Sequence, residues 1–187
     1  MSLEDQCWAA FRDGKYDEAV SLLPLVKEPN KIKRTYLEKI ITHKNTSLLH
    51  FSSRHGWLDI TKDLITNYNC DPHESDNGAK TCLHWAAEGN HVDTIRYLID
   101  ECHCNPMAID EYEYTVLHKA ANKGSIDAMK YLISHHHCDP KATTNSSHTV
   151  LHLAARHIDI VKYLINECYC NPMATDENWI YCSSNSS

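Results

Sequence analysis

The sequence predicts an all-α solenoid of stacked helix-turn-helix units, and three observations predict it. Leu49-His50, Leu83-His84, Leu117-His118 and Leu151-His152 recur at a constant spacing of 34 residues. Cys70-Asp71-Pro72, Cys104-Asn105-Pro106, Cys138-Asp139-Pro140 and Cys170-Asn171-Pro172 recur at 34, 34 and then 32. Apolar residues at helical spacing follow each Leu-His landmark, as in Val92, Ile95, Leu98 and Ile99, and again in Ile126, Met129, Leu132 and Ile133. A fixed period of this length marks a repeat array in which each unit leaves an apolar face for its neighbour to cover.

In chain order, residues 1–44 read as an N-terminal helical cap and a connector. Cys7, Trp8, Ala10 and Phe11 offer one apolar face, Asp13-Gly14-Lys15 turns the chain, and Ala19, Val20, Leu22 and Leu23 offer a second face that Pro24 ends. Gly14-Lys15-Tyr16-Asp17-Glu18-Ala19 would also suit a tetratricopeptide helix. Residues 26–44 read as irregular, with one short helix through Leu37, Ile40 and Ile41. Residues 45–181 carry the repeats, with units starting near 45, 79, 113 and 147. Each unit opens with Ser or Thr and Leu-His, passes a turn, runs through a second helix and stops at Asp/Asn-Pro, where proline forbids helical continuation.

In Thr81-Cys82-Leu83-His84-Trp85-Ala86-Ala87 and Thr115-Val116-Leu117-His118-Lys119-Ala120-Ala121, the chain resembles the ankyrin-repeat family, whose motif is Thr-Pro-Leu-His-x-Ala-Ala. The resemblance covers residues 45 to about 181. It implies β-hairpin fingers joining the helix pairs, with Ser47, Thr81, Thr115 and Thr149 capping the first helices. It also implies that His50, His84, His118 and His152 tie finger to helix. The departures are specific. Leu48, Cys82, Val116 and Val150 replace the proline. The period is one residue longer than the family's, with the extra residue placed at Cys102-His103-Cys104-Asn105. Unit four has lost two residues and its glycine at Arg156-His157-Ile158-Asp159, so a local distortion is expected there. Residues 175–181 read as the partial finger of a fifth unit and 182–187 as a polar tail. Unit four then lacks a cap, which leaves an exposed apolar end that binds something, or a truncated sequence.

Composition narrows the function. The chain is 42% apolar and 23% charged, with no apolar run approaching the roughly 18 to 20 residues that cross a bilayer and no basic, apolar leader. The cytosol or nucleus is the expected compartment, and nine cysteines without an export signal are expected as reduced thiols. A net charge of −7 argues against nucleic acid and anionic membrane. Only the stretch holding Lys27, Lys31, Lys33, Arg34, Lys39 and Lys44 leans basic, and a solvated face is its plain reading.

Four equally spaced histidines suggest a metal ladder, but units roughly 10 Å apart cannot bring them within about 2.0 to 2.3 Å of one zinc. A zinc or redox site drawn from Cys102, Cys104, His136 and Cys138 matches no known ribbon or finger spacing, and thiols filling the seams between units are the better reading. There is no phosphate loop, no Gly-x-Ser-x-Gly and no His-Glu-x-x-His, so neither an enzyme nor a cofactor is expected.

The expected function is protein recognition. The resemblance places the residue after each His toward the concave groove, namely Phe51, Trp85, Lys119 and Leu153. With Glu88, the finger residues Glu111, Tyr112, Glu113 and Tyr114, and Trp179, these form an aromatic and acidic candidate surface for an unidentified protein partner. The alternatives are an assembly element within a larger signalling or channel protein, and a protein whose Cys/His loops bind zinc or sense oxidants.

Overall fold

In a computed structural model, which describes residues 2–38 and 41–174, the chain runs as successive helix pairs. The first pair is α1 (Leu3–Arg12) and α2 (Tyr16–Leu22). Ser2 accepts from the Asp5 amide at 3.1 Å while Asp5 accepts from the Ser2 amide, a reciprocal cap that starts α1. Short 3₁₀ turns at Leu23–Leu25 and Pro29–Lys31 lead into an antiparallel hairpin of β1 (Lys33–Glu38) and β2 (Ile41–Ser47), with Lys33 opposite Ser47.

This hairpin corrects the expectation of a helix through Leu37, Ile40 and Ile41. Leu37 and Ile41 lie in paired strands, and Ile40 is outside the described residues. Three apolar residues give too short a helical pattern, whereas the β-branched and aromatic residues Thr35, Tyr36, Ile41, Thr42 and Thr46 favour extended backbone.

The remaining helices are α3 (Leu48–His55) with α4 (Leu58–Thr66), α5 (Cys82–Glu88) with α6 (Val92–Arg96), α7 (Val116–Lys123) with α8 (Ile126–His136), and α9 (Val150–Leu153) with α10 (Ile158–Asn166). α6 runs on into a π-helical turn, Tyr97–Glu101. The first helices α1, α3, α5, α7 and α9 pack in succession, and α4, α6 and α8 form a second row. Leu49, Leu83, Leu117 and Leu151 are all buried between them. α9 ends after four residues where α5 and α7 have seven and eight. With two residues missing from its turn, the chain leaves the helix at Ala154, whose carbonyl accepts from the His157 amide at 2.7 Å. Among the described residues no helix is long and apolar enough to cross a membrane.

The second helices end in a shared way. The amides of Cys70, Cys104, Cys138 and Cys170 bond back to the carbonyls of Leu64, Leu98, Leu132 and Leu164, six residues earlier, which satisfies a carbonyl at each helix end. Asn69, His103, His137 and Tyr169 occupy the left-handed position just before, at φ between 52° and 57°. The Asp or Asn that follows accepts from the amide two residues on, at 2.8 to 2.9 Å, and turns the chain toward the next unit.

Candidate functional site

Each Leu-His motif folds into the same local circuit. Thr81 and Thr115 precede the first residues of α5 and α7, and their amides donate to Nδ1 of His84 and His118 at 3.2 Å. Ser47 and His50, and Thr149 and His152, make the same bond at 3.2 and 3.1 Å. With Nδ1 accepting, the proton sits on Nε2, which donates to a carbonyl 30 residues downstream. His50 reaches the Lys80 carbonyl at 3.2 Å, His84 that of Tyr114 at 3.4 Å, and His118 that of His148 at 3.3 Å. The imidazole therefore ties α3, α5 and α7 each to the finger of the next unit. Burial, the largest cause, drives the acidity of all three away from the protonated form, with His84 and His118 both brought down to about 4.

Two further ties cross the same seams. Cysteine thiols donate to the proline carbonyl of the preceding unit: Cys104 to Pro72 at 3.4 Å, Cys138 to Pro106 at 3.7 Å and Cys170 to Pro140 at 3.5 Å. The residues before α6, α8 and α10 bond to a carbonyl at the end of the first helix of the preceding unit. His91 takes that of Arg54, Ser125 that of Glu88 at 3.0 Å, and His157 that of Asn122 at 3.3 Å. His91 also fills the space above Gly89, where a Cβ would come within 2.3 Å of the Arg54 carbonyl. Sequence reading missed this last series because its members differ chemically, although their 34 and 32 residue spacing was available.

The fingers are short after the first. Single antiparallel bridges join Ser75 to Thr81, Ile109 to Thr115 and Thr143 to Thr149. Asp76 accepts from the amides of Gly78 and Lys80 at 2.9 and 3.0 Å, and Asp110 from those of Tyr112 and Tyr114 at the same distances. Ala79, Glu113 and Ser147 hold positive φ at the tips. Neighbouring fingers also join, because the Glu111 amide donates to the Gly78 carbonyl at 3.0 Å.

The structure divides the candidate interaction residues. Phe51 and Trp85 are each 1% exposed, so their assignment to a partner-facing groove is corrected. Trp8, Phe51 and Trp85 form an edge-to-face run at centroid spacings of 5.6 and 5.7 Å that joins α1, α3 and α5. Arg54 and Lys80 lie 5.3 and 5.7 Å from the Trp85 ring. Glu88 and Lys119 are occupied as well: Lys80 pairs with Glu88 at 3.0 Å, and Lys119 pairs with Asp110 at 2.5 Å while standing 4.2 Å over the Tyr114 ring. Both pairs are largely buried. Burial, and next the nearby Lys80, lower the Lys119 ammonium below its ordinary range. Leu153, next in this row, is partly buried against the core.

What is presented outward is the finger segment 107–113. Met107, Ile109 and Tyr112 are 45%, 51% and 56% exposed, and Glu111 and Glu113 are exposed beside them. Tyr114 is half-buried beneath the tip, and Trp179 lies outside the described residues, as do the fifth finger and the polar tail. In the basic stretch, Lys31 pairs with Glu28 at 2.5 Å and Lys33 with Glu74.

For zinc, no group of three or more His, Cys, Asp or Glu among the described residues is placed to hold a metal ion. Cys104 and Cys138, drawn together in the sequence, donate to carbonyls in different seams. Burial raises Cys70 to about 12 and Cys138 to about 11.

Compared with known families, the chain matches the model for ankyrin repeats (3 copies) over residues 7–110 and 102–176. No curated protein gave a significant match.

Proposed function

We propose, from the premise that this chain belongs to the ankyrin-repeat family, that it is a non-enzymatic module that binds a partner protein through its finger tips. The observation that carries this reading is the contrast between the two candidate rows. Residues next to the repeated histidines are spent inside the array, whereas Glu111, Tyr112 and Glu113 project from a finger whose backbone is fixed from beneath by Asp110. A rigid tip loses little entropy on binding, and an exposed tyrosine flanked by carboxylates offers an apolar ring and two acceptors at once. With a net charge of −7, the favoured partner is a protein segment carrying lysine or arginine beside an apolar anchor. The working compartment is a reducing one, the cytosol or nucleus.

Tyr112→Ala combined with Glu111→Lys tests this. A partner captured by the wild type, purified and titrated directly, should bind the double variant at least about tenfold more weakly, as expected for an interface anchor. The melting temperature should stay unchanged. Equal affinity for both proteins would remove the finger tip from the interface.

A further inference from the structure

Unit two differs from the other units in a thiol at the start of its first helix. Cys82 occupies the first position of α5, where the equivalent residues are Leu48, Val116 and Val150. Its Sγ lies 3.0 Å from the Pro72 carbonyl oxygen, the same atom that accepts from Cys104 at 3.4 Å. Elsewhere in the described array the proline carbonyl serves one cysteine, as Pro106 serves Cys138 and Pro140 serves Cys170. Two sulfurs converging on one oxygen face each other, and Cys82 and Cys104 are hydrogen-bonded together as well. Both are buried, at 1% and 4% exposure, so no outside thiol competes for either sulfur.

We infer that Cys82 and Cys104 form an oxidisable dithiol site that takes a peroxide as its substrate and closes to an intramolecular disulfide. The Cys104 thiolate sulfur attacks one peroxide oxygen, the O–O bond breaks, and the departing hydroxide takes up a proton to leave as water. The Cys82 sulfur then attacks the resulting Cys104 sulfenic acid, the S–O bond breaks, and a second water leaves with the Cys82 proton. Two thiols lose two electrons in total, and one hydrogen peroxide becomes two waters. The roles follow from the local bonding: the hydrogen bond from Cys82 stabilises the Cys104 thiolate and lowers its pKa, against the effect of burial. The same bond, together with burial, holds the Cys82 thiol well above its ordinary range. Closure leaves neither sulfur a hydrogen to donate to the Pro72 carbonyl, so the seam between units one and two gives up its thiol tie.

The test exposes the native full chain to hydrogen peroxide, blocks remaining thiols, and maps disulfides by mass spectrometry of an unreduced digest. The expected product is a Cys82–Cys104 peptide pair lighter by two hydrogens than its reduced parts. It should exceed any other linked pair by about tenfold or more, as the selective geometry of disulfides demands, and should be reversed by dithiothreitol. Cys82→Val, which installs the residue found at positions 116 and 150, should abolish the pair and leave Cys104 oxidised only to its acids. The proposal is overturned if the folded wild type shows only oxidised acids or links through half-buried Cys102, without the Cys82–Cys104 pair. Mapping of the wild type decides this even where a variant folds poorly.

Discussion

Lowering the pH from about 7.5 to about 5.5 is expected to weaken the array through His84 and His118. Each imidazole is buried, accepts an amide at Nδ1, and donates from Nε2 to a carbonyl of the next finger, so the folded state has no room for a second ring proton. The ordinary value of 6.5 falls to about 4 in both. Between these values the unfolded chain binds more protons than the folded one, so stability is fully present above about 6.5 and is lost as pH falls toward about 4. For one such group, linkage gives a loss on the order of 1 kcal/mol at pH about 5.5, hence about 2 to 3 kcal/mol for the pair. His50, shifted the same way by burial, adds to the loss. Urea unfolding followed by circular dichroism at several pH values measures the slope, and His118→Asn should flatten it while lowering stability at neutral pH. Stability that stays level from pH about 7 to about 5, or ring signals of His84 and His118 that titrate in the folded protein near pH about 6.5, would refute the reasoning.

Two further substitutions have defined outcomes. Trp85→Ala should cost about 3 to 5 kcal/mol, as large-to-small changes of buried aromatics do, and appear in thermal melts as a folding defect before any binding assay is interpretable. His103→Gly should raise stability by about 1 kcal/mol in the same melts, because His103 is exposed and holds φ 57°, a conformation that costs a side-chain-bearing residue about 1 to 2 kcal/mol.

Period and local chemistry are what a sequence displays, and both were legible. The bonds of Thr81 to His84 span three residues, so the motif itself carries them. The shortened α9 follows from two missing residues and an absent glycine, a local fact as well. Three things were not legible, each for a non-local reason. The destination of each Nε2 proton lies 30 residues away and depends on how units stack. The β1–β2 hairpin depends on pairing between segments that separately show only a few apolar residues. The burial of Phe51 and Trp85 depends on the size of their neighbours: with Trp8 and Phe51 edge-to-face in line and Arg54 and Lys80 near the last ring, a row expected to line a groove becomes a spine.

That spine changes where specificity has to be sought. Variation between units is a useful guide to function only at positions free of seam duties, and the position after the repeated His is not free. Its occupants change from Phe51 to Trp85 to Lys119, yet each answers to a neighbour in the array: a ring in the next helix, or Asp110 in its own finger. The three seams from unit one to unit four are each closed by the same three kinds of tie, imidazole to finger carbonyl, thiol to proline carbonyl, and turn residue to helix-end carbonyl. These ties repeat because stacking demands one geometry at every junction. A partner that must distinguish this array from any other therefore has to read residues that close no seam, and the exposed tip at Glu111, Tyr112 and Glu113 meets that condition through its side chains.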